Sequence, residues 1–286
     1  MKIGTVKIRG RTEPAILYDD RITPMSIINR ETGVDFPLDL FALIEDNKAF
    51  TKLMRTQEGD RKKLEIRSLP LSDCTFLPPY RTPSKIWSIG LNYRKHSDDL
   101  NEKLPTEEPA SFMKPRTSII GYGENIVIPS GIGRVTAESE MGIIIGKRAR
   151  NLEEHRALDA VLGIVPVIDV TALDILSRNP RFLTRAKSYD TFFSFGPFIT
   201  TTDEIINLHS LRVSTIRNGQ VTHSNTVDHM TFSPEFLVSF HSRVFTFEPG
   251  DILSPGTPGA TLISPGDEVR CRLEFPGIPE LMNPVA

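Results

Sequence analysis

The chain has 286 residues, 34 Lys plus Arg against 36 Asp plus Glu, and a formal net charge of −2. That balance excludes the basic surfaces that hold nucleic acid or anionic membranes. No stretch approaches the ~20 apolar residues of a membrane span, and the start, Met1-Lys-Ile-Gly-Thr-Val, has no apolar secretory core. The two cysteines, Cys74 and Cys271, are far apart and in no metal-binding spacing. A cytoplasmic protein without disulfides is expected.

In chain order, Ile3–Ile8 and Ala15–Tyr18 read as short strands, and 38–44 and 49–54 carry helical spacing. Residues 58–63 are charged and exposed in character. The proline-rich stretch 77–83 favours extended backbone over helix. It separates a small N-terminal α/β domain, residues 1–78, from a larger one, residues 79–286. Ile86–Ile89 reads as a strand, and residues 93–100 as a loop or short helix. Asn151 is placed to cap a helix over 152–162, with Glu153 and Glu154 in its first turn and Gly163 at its end.

Asn218-Gly219 between two alternating segments is a hairpin signal. Ser233-Pro-Glu235 opens a helix with Phe236, Leu237, Phe240 and Val244 expected on one face. Pro249-Gly-Asp251 and Pro265-Gly-Asp267 are turns before short strands. The fold class expected is α+β, mainly β, with few helices and many turns.

Two apolar runs carry acids. Glu138 and Glu140 precede Met141-Gly-Ile-Ile-Ile-Gly146, and Asp169 ends Val161-Leu-Gly-Ile-Val-Pro-Val-Ile168. Both runs read as buried strands, and alternate strand residues share a face, so Glu138 and Glu140 point the same way. Carboxylates at the mouth of an apolar core need a cation or a hydrogen-bond network. Three hard oxygen donors suit Mg2+ or Mn2+. The run Gly142 to Lys147 superficially looks like a phosphate loop, but it lacks the spacer and trailing Ser/Thr.

Plainer readings stand beside this one. Glu138 and Glu140 on an exposed strand edge would pair with Arg134 or Arg148. Asp169 is also suited to cap a helix over 171–176. Lys187 and Asp190 read equally as a surface pair, and the glycines around Thr257 as turn geometry. His155, His209, His223, His229 and His241 have no acid–base constellation around them.

Five segments occur in order: Gly90-Leu-Asn-Tyr-Arg-Lys-His96, Glu138-Ser-Glu140, Asp169-Val-Thr-Ala-Leu-Asp174, Lys187-Ser-Tyr-Asp-Thr191 and Gly256-Thr-Pro258. Together they resemble the fumarylacetoacetate hydrolase family over about residues 80–286. The resemblance implies a β-roll catalytic domain, a homodimer, and one divalent cation, Mg2+ or Mn2+, per subunit. It implies a small-molecule 2-oxo acid or 1,3-dicarbonyl substrate, and the family includes hydrolases, decarboxylases, tautomerases and isomerases.

By position, Glu138, Glu140 and Asp169 match the metal ligands, Lys187 the active-site lysine and His96 the general base. Asp99 matches an acid that pairs with that histidine. Tyr93, Arg94, Gly256 and Thr257 fall in the substrate-binding segments. The reaction expected is cleavage of a carbon–carbon bond in an acylpyruvate-like 2,4-dioxo acid. An oxaloacetate decarboxylase, a keto–enol tautomerase or a 2-hydroxyhepta-2,4-diene-1,7-dioate-type isomerase is the alternative. Outside the enzyme class, the alternative is a decayed relative that binds a small carboxylate. Three positions depart from the family: Leu173 replaces an arginine, Ile168 an asparagine and Leu176 a polar residue. Loss of the arginine, which would grip an anion bidentately, points to a shorter, less charged or differently anchored substrate.

Overall fold

The computed structural model describes residues 1–93, 105–275 and 277–286. Arg94, His96 and Asp99 lie outside the described residues. The chain opens with three antiparallel strands, β1 (Lys2–Ile8), β2 (Arg11–Tyr18) and β3 (Arg21–Pro24). Three helices follow: α1 (Met25–Thr32), α2 (Leu40–Glu45) and α3 (Asn47–Ile66). The sequence reading stopped the third helix at residue 54 and set 58–63 apart. The helix instead continues, because Phe50, Leu53, Gln57 and Leu64 form one buried stripe while the charged residues between them face outward. Asp46 caps it, accepting from the backbone N–H groups of Lys48 and Ala49.

Next come the short strands β4 (Leu69–Pro70) and β5 (Thr75–Leu77), then β6 (Ile86–Gly90), β7 (Ala110–Lys114) and β8 (Ile119–Ile120). The two apolar runs become β9 (Val135–Ile145) and β10 (Val161–Ala172), paired antiparallel from Val161↔Ile145 to Ala172↔Val135. A bulge lies between Val161 and Gly163.

The helix expected over 152–162 is a 3₁₀ helix over Glu154–Ala160. Asn151 does not cap it. Its backbone is left-handed, with φ 52°, and its N–H donates to the Ser242 carbonyl. Val161 and Leu162 belong to strand β10, whose long-range pairing wins over local helical spacing.

Two short helices leave β10, α4 (Leu173–Arg178) and α5 (Leu183–Lys187). The chain then forms β11 (Phe193–Phe195), β12 (Phe198–Thr201) and the hairpin β13 (Arg212–Arg217) with β14 (Gln220–Thr226). At its turn Asn218 and Gly219 both have positive φ, as a type I′ hairpin requires. Helix α6 (Pro234–Val244) is capped by Ser233. Its buried face is Pro234, Leu237, Val238 and His241 rather than the stripe expected from sequence, and Val244 is exposed. The chain closes with β15 (Ile252–Ser254), β16 (Ala260–Ile263), β17 (Glu268–Glu274) and β18 (Leu281–Pro284).

Most strands join one large sheet with β1, β12, β10, β9, β15, β6 and β7 as successive neighbours, and a second sheet runs β14-β13-β17-β18. The architecture is mainly β with open sheets. Strand β1 pairs with β12, so the large sheet runs through both sides of the proline-rich joint.

Two cores flank the β9–β10 ladder. Val135, Ala137, Met141, Ile143 and Ile145 face one with Ile164, Ile168 and Val170. On the other face Ile144, Val165 and Val167 pack with Ile3, Ile16, Leu43, Leu53 and other N-terminal side chains. Glu138 and Glu140 share that second face by alternation. One end of the face is therefore apolar and covered by the N-terminal layer, and the other end carries acids.

Candidate metal centre and active site

The ladder register decides the site. Glu138 stands directly opposite Asp169, and Glu140 opposite Val167, so three carboxylates from two strands share one face. One oxygen from each lies within 4.8 Å of the other two, and all three residues are buried. Neither Arg134 nor Arg148 reaches them: Arg134 pairs with Asp174 and Arg148 with Glu248. Asp169 caps no helix, since α4 begins at Leu173 and the residue at its N-cap, Ala172, offers no side-chain bond.

Two buried ammonium groups neutralise part of this charge. Lys187 Nζ, at the end of α5, donates to Glu138 Oε2 at 2.7 Å and to Asp169 Oδ2 at 2.8 Å. That excludes the surface-pair reading for Lys187. Lys114 Nζ, from β7, donates to Asp169 Oδ1 and, at 3.2 Å, to the Val170 carbonyl. Sequence reasoning missed Lys114. The signal was faint: Phe112 and Lys114 are the inward positions of a five-residue strand with pattern exposed–exposed–buried–exposed–buried.

Neutral donors complete the frame. Thr171 Oγ1 donates to Glu138 Oε1 at 2.7 Å. Ser254 Oγ and the Gly256 N–H donate to Glu140 Oε2 at 2.5 and 2.8 Å.

Among the described residues, three carboxylates face two ammonium groups in a site removed from water. Burial, and then the charge of Asp169, push the Glu140 carboxyl up to about 8. Burial would lower Lys187, but Asp169 and Glu138 more than offset it and hold its pKa above the ordinary lysine value. Burial wins at Lys114, which is lowered to about 8 although Asp169 opposes the shift. A cluster of hard oxygen donors that cannot all stay ionised fits a divalent cation, whose charge would restore Glu140 to its carboxylate form.

The cluster opens on a cavity of about 220 Å³. Glu138, Ser177, Lys187 and Thr257 contribute its polar lining, with Leu91, Phe112, Leu173 and Leu176 among its apolar walls. The Lys187 ammonium lies 5.1 Å from the centre of the Phe112 ring. Leu91, in the Gly90-Leu-Asn-Tyr segment, is held at φ 56°, a conformation uncommon for a branched residue and one found at functional sites.

The other sequence candidates divide. Thr257 lines the cavity, and its hydroxyl donates to the Gly259 carbonyl at 3.0 Å. Gly256 holds Glu140 through its N–H. Its φ is 106°, and a Cβ there would lie 2.9 Å from Cβ of Asn92, so the turn requires glycine. Tyr93 is fully buried in the core, its hydroxyl without a hydrogen bond and its pKa raised by burial and then by Glu140. Asn92 clamps the segment: its side-chain amide donates to the Phe232 and Pro255 carbonyls and accepts from the Phe232 N–H.

Comparison with known proteins gives the family and the fold. Residues 85–286 match the family described as Fumarylacetoacetate (FAA) hydrolase C-terminal. The chain belongs to the fumarylacetoacetate hydrolase family. It is 34% identical over 222 residues to the mitochondrial oxaloacetate tautomerase Fahd2a of Rattus norvegicus, a match covering 75% of this chain and 71% of that one. The maleylpyruvate hydrolase of Sphingobium sp. SYK-6, solved with manganese(II) ion and pyruvate, superimposes with a TM-score of 0.81 at 25% identity, covering 100% of this chain and 99% of that chain. The 5-carboxymethyl-2-hydroxymuconate delta-isomerase of Mycobacterium smegmatis superimposes with a TM-score of 0.77 at 27% identity, covering 100% and 98%. The expected mainly β fold is that of these relatives. Enzymes of this family include hydrolases, isomerases and tautomerases.

Proposed function

We propose that this protein is a divalent-metal-dependent enzyme that cleaves a carbon–carbon bond in an acylpyruvate-like 2,4-dioxo acid. The observation that carries the reading is the buried Glu138, Glu140 and Asp169 cluster, held by two lysines at the mouth of a cavity. These three carboxylates would hold Mg2+ or Mn2+, and the manganese and pyruvate bound to the Sphingobium relative support that choice. When bound, such a cation supplies positive charge that anchors a 2-oxo acid and draws electrons from its keto carbon.

The chain's own groups do the rest. Lys187 and Lys114 hold Asp169 in place. Lys187, lining the cavity, offsets negative charge that develops on the substrate. Leu91, Phe112, Leu173 and Leu176 exclude bulk water. We assign the base to His96, on the strength of its sequence motif alone; an imidazole with a reference pKa of about 6.5 takes a proton from water near neutral pH. Hydroxide then adds to the distal carbonyl. The bond between C3 and C4 breaks, its electron pair goes to C3, and protonation there gives pyruvate beside a carboxylic acid.

A second reading, keto–enol tautomerisation of a 2-oxo acid, is supported by the rat relative's activity and uses the same anchor without an attacking water. Incubation of the manganese-loaded protein with 2,4-dioxohexanoate, followed by NMR, separates them. Pyruvate and propanoate are expected, and His96→Ala should abolish their formation. Enol–keto exchange without cleavage, surviving that substitution, would favour the tautomerase. Cleavage that persists after exhaustive chelation would overturn the metal requirement.

A further inference from the structure

The walls of the cavity are built on two helices that also deliver its charge. Leu173, Leu176 and Ser177 stand three and four residues apart on α4, so one face of that helix lines the cavity just beyond the strand bearing Asp169. On α5, Leu183 and Lys187 are four residues apart and both line it, placing an apolar side chain one turn from the ammonium. Phe112 closes the cavity from β7, and Ile89 and Leu91 from the end of β6. Leu173, Leu176 and Leu183 are each half-buried, so they present apolar surface that an occupant would cover.

Lys187 is the single cationic side chain lining the cavity among the described residues, and its ammonium is already shared by Glu138 and Asp169. Among the described residues, a second carboxylate brought against Leu173 and Leu176 would lose hydration and meet no cationic side chain other than Lys187.

We propose that Leu173 and Leu176 are specificity-determining residues that select a monocarboxylic 2-oxo acid with an uncharged, apolar tail and reject dicarboxylates. This rests on the reading of the acidic cluster as the anchor of the 2-oxo acid head. It ranks alkyl or aryl acylpyruvates above oxaloacetate, because oxaloacetate carries a second carboxylate where the wall is apolar. Discrimination of this kind arises because a wall without a free charged partner does not repay the desolvation of a carboxylate.

Equilibrium binding to the manganese-loaded protein tests the wall without relying on turnover. Pyruvate reports the head anchor, while 2-oxohexanoate and 2-oxohexanedioate share that head and differ at the tail. The hexanoate should bind at least about tenfold more tightly than the hexanedioate. Leu176→Arg should narrow or reverse that ratio, and Leu173→Arg provides an independent second variant. Equal affinities in the unsubstituted protein, or tighter binding of the hexanedioate, would overturn the proposal while pyruvate binding kept the anchor intact. Failure of pyruvate itself to bind would overturn both. Selective binding of the hexanoate without cleavage of 2,4-dioxohexanoate would support the wall and remove only the hydrolase reading.

Discussion

Two buried acidic sites sit on neighbouring strands of one sheet and are built in opposite ways. Asp251, just before β15, accepts from the Lys85 and Glu248 backbone N–H groups at 2.9 and 2.7 Å and pairs with Lys85 Nζ at 2.7 Å. Burial raises its pKa, and those three donors work against the shift. One carboxylate and one ammonium balance, and backbone donors fix the geometry: this is a device for holding the chain ends of β15 and β6 together. Glu138, Glu140 and Asp169 share two ammonium groups and leave Glu140 pushed up to about 8. A buried acid balanced by its own ammonium and backbone donors serves the fold, whereas a cluster in which burial keeps one acid protonated has the donor set that could hold a cation.

The largest effect expected on this contrast comes from Glu140→Gln. Activity and Mn2+ affinity should both fall at least about a hundredfold. The metal-free protein should fold as well as before, because the substitution relieves crowding. Assay and thermal melting of one preparation check both halves.

Asp251→Asn should do the reverse, lowering stability by about 3 kcal/mol in urea unfolding while the folded fraction binds Mn2+ with unchanged affinity. Loss of metal affinity in Asp251→Asn would break the contrast.

The pH dependence sharpens it. In the metal-free protein Glu140 keeps a proton that the unfolded chain releases, so stability falls as pH rises from about 4.5 to about 8. Lys114, lowered from 10.5 to about 8, is charged at a cost below that pH, and the cost is relieved as pH rises from about 8 to 10.5. The two limbs place a shallow stability minimum near pH 8, and Glu140→Gln should remove the acid-side limb. Because cation binding must displace the Glu140 proton, Mn2+ affinity should drop about tenfold per pH unit below 8.

Thr171→Val is the mildest change. Removing the 2.7 Å bond to Glu138 should cost about 1 kcal/mol of stability and up to about tenfold in Mn2+ affinity.

The sequence made the acids legible because strand alternation alone puts Glu138 and Glu140 on one face, and because the five ordered segments resemble a known family. It could not show that Asp169 stands opposite Glu138, since register is set by the whole ladder and its bulge at Val161/Gly163. Lys114 escaped because a lysine before a proline reads as a surface residue until the strand is seen to bury it. Gly256 was legible as part of a substrate-binding segment, but not the donors by which it and Ser254 fix Glu140. The helix expected at 152–162 failed where local spacing competed with a long-range ladder. Helix α3 was cut short because its outward charges masked a stripe that continues to Leu64.

The most direct test is anomalous diffraction at the manganese edge from crystals soaked in Mn2+. The account predicts one peak within about 2.0–2.4 Å of an oxygen from each of Glu138, Glu140 and Asp169. A map with no peak there, and with the two lysines alone holding those carboxylates at saturating Mn2+, would contradict it.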